Sequence, residues 1–112
     1  MTKIKIKLTK QEYDALSPIV THAAANISVV DAFSLYEKEV AEDIQRRFEA
    51  RKWRMQKAYT FCLSIVETVV FIKHVGNAMK MSGDYECALY YNIYEQQIAV
   101  QTNRAVQMRM KF

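Results

Sequence analysis

The stretch VVDAFSLYEKEVAEDIQRRFEARKWRMQKAYTFCLSIVETVVFIKHVGNAMKM, residues 29–81, contains one glycine, Gly76, and no proline. It begins as an amphipathic pattern and turns almost wholly apolar after residue 57. Glycine and proline punctuate a chain more strongly than other residues, and beyond this stretch only Pro18 and Gly83 remain in 112 residues. Few sharp turns are then available to a many-stranded fold, and the chain reads as mainly α.

Within the stretch, Val29, Phe33, Tyr36, Val40, Ile44 and Phe48 recur at three- and four-residue intervals, the stripe of a helix with one buried face. Ser28 is the expected cap, with Asp31 near the positive end of the helix dipole. An unbroken helix over 29–81 would be about 80 Å long, against a radius of gyration of about 13 Å for a domain this size. A break is therefore required. It is placed at Trp53–Lys57, because Glu37, Glu39, Glu42 and Asp43 come early and Arg51, Lys52, Arg54 and Lys57 late, the order that suits a helix ending there. In Ala58–Val75 two periods overlap. Tyr59, Phe61, Leu63 and Ile65 alternate like a strand, whereas Cys62, Ile65, Val66, Val69 and Ile72 form a helical face. Nothing between them resembles a hairpin turn, so a helix apolar all round is the preferred reading.

On the N-terminal side, Lys3, Lys5 and Lys7 alternate with Ile4, Ile6 and Leu8, which makes residues 3–8 the clearest strand. Thr9 and Glu12 have capping-box spacing and start a helix through Ala25, in which Pro18 either opens a new segment capped by Ser17 or bends the first. On the C-terminal side, Gly83 ends one helix and Asp84 is expected to cap the last, to about Asn103. Val106, Met108, Met110 and Phe112 then alternate with Gln107, Arg109 and Lys111, a candidate second strand to partner the first. The expected fold is a small helical bundle of three to four helices with a short N-terminal strand, paired or not with a C-terminal one, residues 1–112 forming a single helical domain.

A hydrophobic fraction of 51% with 25% charged residues argues for ample buried surface and against disorder. The net charge of +4, from 16 basic and 12 acidic residues, weakly favours polyanionic partners. Cys62 and Cys87 form no CxxC pair, and the lysines at 3, 5 and 7 prevent a leader-like apolar run. Both cysteines are read as reduced and buried in a cytoplasmic protein. The most apolar run, Ala58–Ile72, carries Glu67 and falls short of the ~20 residues that span a bilayer. No membrane partner is expected.

No motif fixes a substrate or a reaction. Arg46, Arg47, Arg51, Lys52, Arg54 and Lys57 stand against a lone Glu49, and with Trp53 among them they form a candidate nucleic-acid contact. The plainer reading is a solvated helix end whose arginine stems cover apolar surface. Lys3, Lys5 and Lys7, joined by Arg109 and Lys111 if the C-terminal strand forms, would make a second basic surface, read first as protection of a strand edge. His22, Cys62, Glu67, His74 and Cys87 lack metal-ligand spacing, so no metal or other cofactor is expected. Glu67 and His74, seven apart, share a helical face and are read as bonding a neighbouring helix. Tyr85, Tyr90, Tyr91 and Tyr94 crowd one helix and suit either core or interface.

The leading expectation is a small self-associating helical interaction module, a homo-oligomer and most simply a dimer, and not an enzyme. Its expected interface is Phe61, Ile65, Val69, Ile72, Tyr90 and Tyr94. The alternative is an accessory nucleic-acid-binding protein using the cluster at 46–57.

Overall fold

The computed structural model describes residues 2–110, so Lys111 and Phe112 of the expected C-terminal alternation lie outside the described residues, as does Met1. The fold is mainly α, four helical rods around a two-stranded sheet. Strand β1 (Lys3–Thr9) runs directly into helix α1 (Lys10–Ala25). The junction is the expected capping box: the Glu12 N–H donates to the Thr9 hydroxyl and the Thr9 N–H to the Glu12 carboxylate. Pro18 sits inside α1 without ending it. Ser17 is no cap, because its hydroxyl donates back to the Tyr13 carbonyl at 2.9 Å.

Helix α2 (Ala32–Glu49) begins three residues later than the stripe suggests, since Asp31 and not Ser28 is the cap, accepting from the Ser34 N–H at 2.8 Å. Only the C-terminal half of the expected stripe is buried. Ile44 and Phe48 enter the core, whereas Val29, Phe33 and Tyr36 are exposed, Phe33 at 81%. The chain then turns over residues 50–57, so the helix ends at Glu49, a few residues before the break expected at Trp53–Lys57.

Ala58–Ser64 is a strand, β2, which corrects the preferred reading of this segment as helix. It pairs antiparallel with β1, from Lys3 opposite Ser64 to Thr9 opposite Ala58. The alternation wins because β1 needs a partner for its backbone groups and because Tyr59 and Phe61 find a place among aromatics. Tyr59 stacks on Tyr13 at 4.2 Å and Phe61 on Phe48 at 4.1 Å, uniting α1, α2 and β2 in one core with Ile4, Ile6 and Leu8. At Ser64 the strand becomes helix. Ser64 accepts from the Glu67 N–H, and Glu67 accepts from the Ser64 N–H at 2.7 Å. This S-x-x-E capping box, built like the one at Thr9 and Glu12, is the local signal that divides the apolar run.

The third rod runs through α3 (Ile65–Val70), a π-helical segment (Phe71–Gly76) and α4 (Asn77–Ser82). The fourth runs through α5 (Asp84–Ile93), a second π segment (Tyr94–Ile98) and α6 (Ala99–Met110). Asp84 is the first residue of α5 and not its cap; the extended Gly83 occupies that position. Gly76 lets the two rods approach, since a Cβ there would lie 2.6 Å from the Tyr90 ring. Residues 106–110 are helical, so the C-terminal strand does not form among the described residues and β2 takes its place.

Candidate functional site

Both edges of the sheet are closed by side chains. Along β1, the Lys5 N–H donates to Gln101 Oε1 at 2.8 Å and Gln101 Nε2 returns a bond to the Lys5 carbonyl at 2.7 Å. Gln97 treats Lys7 in the same way, at 2.6 and 3.1 Å. Two glutamines one helical turn apart thus stand in for a third strand. Along β2, Arg47 donates to the Cys62 carbonyl at 3.1 Å and Arg51 to the Thr60 carbonyl.

The basic cluster divides accordingly. Arg46 and Arg47 are ion-paired, Arg46 with Asp43 at 3.6 Å and Arg47 with Asp43 at 2.7 Å and with Glu67. Burial works to raise the Glu67 carboxyl, but the Ser64 N–H and the Arg47 guanidinium outweigh it and hold the group below its ordinary value. Lys52 turns toward a hollow shared with Asp14 and Glu49, its ammonium 5.2 Å from the Trp53 ring. Arg51 lies 4.2 Å over the Phe61 ring. With Arg54 and Lys57 it lines a shallow concavity of about 510 Å³ that reaches Ala58 and Thr60 on β2. Trp53 is 86% exposed, so packing within the chain does not account for it.

The six expected interface residues divide too. Phe61 and Tyr90 are in the core, 2% and 5% exposed, which removes them from a surface role in this conformation. Ile65, Val69, Ile72 and Tyr94 line one groove of about 190 Å³ between α3 with its π extension and the α6 rod. Ile98, Ala99, Thr68, Thr102 and Asn103 complete it, and no lining residue is charged.

Glu67 and His74 both reach α2, as expected of them. His74 Nε2 lies 3.3 Å from Glu37, which also accepts from Lys73 at 2.6 Å, and the Lys73 bond is the main cause that lowers the Glu37 carboxyl. Cys62, expected to be buried, is exposed on the outer face of β2 opposite Lys5, while Cys87 is half-buried. Among the described residues no helix is long and apolar enough to cross a membrane. No protein-family model, curated protein or solved structure matches this chain.

Sequence reasoning missed Gln97 and Gln101. Their i, i+4 spacing was visible, but nothing local shows that a strand edge lies beside them.

Proposed function

We propose that this protein is a cytoplasmic, non-catalytic interaction module that self-associates as a dimer through the groove between α3 and α6. The observation that carries this reading is a charge-free groove beside an exposed apolar ridge. Val66 and Val69, 46% and 57% exposed, stand on the same α3 turn that borders it. A twofold interface needs a patch that is complementary to itself, and a ridge next to a groove on one face meets that need. Depletion of charge with an aromatic in the lining, here Tyr94, is the composition of an interface core. The groove face of α6 continues toward its C-terminal end through Ala99, Asn103, Val106 and Met110, which follow one another at four- and three-residue steps, and no residue of α6 is buried within the chain.

Sedimentation at high micromolar concentration tests the reading. The expected particle has twice the 13.1 kDa of the chain. Val69→Asp places a charge in the groove and should return a monomer with unchanged helical circular dichroism. A wild-type monomer at that concentration would overturn the reading.

A further inference from the structure

The outer face of the β1–β2 sheet is uncovered. β1 contributes Lys3, Lys5 and Lys7 to it, and β2 contributes only the small side chains of Ala58, Thr60 and Cys62. Among the described residues none of the three lysines is ion-paired, and no acidic residue belongs to this face. Edge protection does not account for the lysines, because Gln97 and Gln101 already occupy the β1 edge. Nor can the sheet readily recruit a peptide strand, since Arg47 and Arg51 hold the carbonyls of the other edge. What the sheet leaves free is its face.

That face is continuous with the basic concavity. Lys7 is opposite Thr60, and Thr60 lines the concavity with Arg51, Arg54 and Lys57. At the far end Lys3 shares a hollow with Arg104 and Arg109. A row of cations therefore crosses the sheet from α6 to the turn after α2. Its lysines recur about every 6.8 Å, two residues of extended strand, close to the separation of successive phosphates along an extended nucleic-acid strand. The turn between Arg51 and Arg54 presents Trp53, 86% exposed, with the Lys52 ammonium 5.2 Å over one side of its ring.

We propose that the outer face of the β1–β2 sheet, with the concavity at its β2 edge, binds single-stranded nucleic acid, Lys3, Lys5 and Lys7 meeting successive phosphates and Trp53 stacking on a base. The small residues of β2 give the strand a flat floor, and the lysine row supplies the electrostatic track. A stacking aromatic beside such a track is the general solution for binding single strands without reading their sequence. A duplex keeps its bases stacked inside and offers Trp53 nothing, so the single strand is the better ligand.

Trp53 is the sole tryptophan of the chain, so its fluorescence reports the contact directly. An oligothymidylate of about 15 nucleotides, added at low salt, should quench that emission and raise the anisotropy of a label on the oligonucleotide. Lys5→Ala with Lys7→Ala should weaken binding at least tenfold and lower the slope of log affinity against log salt by about 1.4, or about 0.7 for each phosphate no longer neutralised. Trp53→Ala should weaken binding roughly fivefold or more, and Arg46→Ala, which lies off the face, should leave it unchanged. Circular dichroism confirms that each variant is folded. Absence of binding at low salt overturns the proposal, as does a Lys5/Lys7 variant that binds like the wild type. Tighter binding of a duplex also overturns it. So does equal binding of heparin or anionic vesicles with unchanged tryptophan emission, which would mark a general anionic docking patch.

Discussion

Gln101 pairs with the backbone of Lys5 as a neighbouring strand would, accepting from its N–H and donating to its carbonyl, although 96 residues separate them. Gln97 repeats the arrangement at Lys7, and so the last helix is stitched to the first strand.

Gln97→Ala with Gln101→Ala should therefore destabilise the fold by about 1–3 kcal/mol, because each of the bonds contributes about 0.5–1.5 kcal/mol net and water replaces part of what is removed. The larger effect should be on association, since the variant exposes a strand edge. Light scattering after mild heating should show aggregation that the wild type resists. A variant as stable and as soluble as the wild type would mean the glutamines are incidental.

Stability should fall in acid. The Glu67 and Glu37 carboxyls are held below their ordinary values in the folded chain, so the stabilisation they give is complete above the unfolded-state carboxylate pKa of about 4.3 and is lost as pH drops through the folded values. Urea midpoints at pH 7 and pH 3 measure this. Glu67→Gln should cost roughly 1–2 kcal/mol at pH 7, below the value for a buried pair because Arg47 is 37% exposed. It should also flatten the pH dependence, and an equal slope in variant and wild type would assign the acid sensitivity elsewhere.

Gly76→Ala tests the approach of the third and fourth rods. Alanine favours helix by up to about 1 kcal/mol, but its methyl would meet the buried Tyr90 ring, and such overpacking costs about 1–3 kcal/mol. The expected net result is a lower melting temperature. A gain in stability would show that the Tyr90 ring moves aside freely.

Cys62 should react with iodoacetamide in the native state well before the half-buried Cys87. Peptide mass mapping after brief exposure distinguishes the two. Prior labelling of Cys87 would place the outer face of β2 under cover.

The sequence by itself determined what neighbours within a few residues decide. The alternation of residues 3–8, the Thr9–Glu12 cap, the turn before Lys57 and the helical character of the chain all rest on such local chemistry, and each is present. Part of the candidate groove was legible for the same reason, since Ile65, Val69 and Ile72 share a helix face wherever that helix packs. Tertiary structure decided the rest. Two alternating segments competed to pair with β1, and the choice of Ala58–Ser64 depended on Tyr13 and Phe48, 46 and 13 residues before their ring partners Tyr59 and Phe61. Once β2 had taken that place, residues 99–110 were free to be helix, and Gln97 and Gln101 came to lie along the opposite edge. Strand pairing joins residues far apart in the chain, so its outcome is set by which side chains the fold brings to the strand, and no local period contains that information.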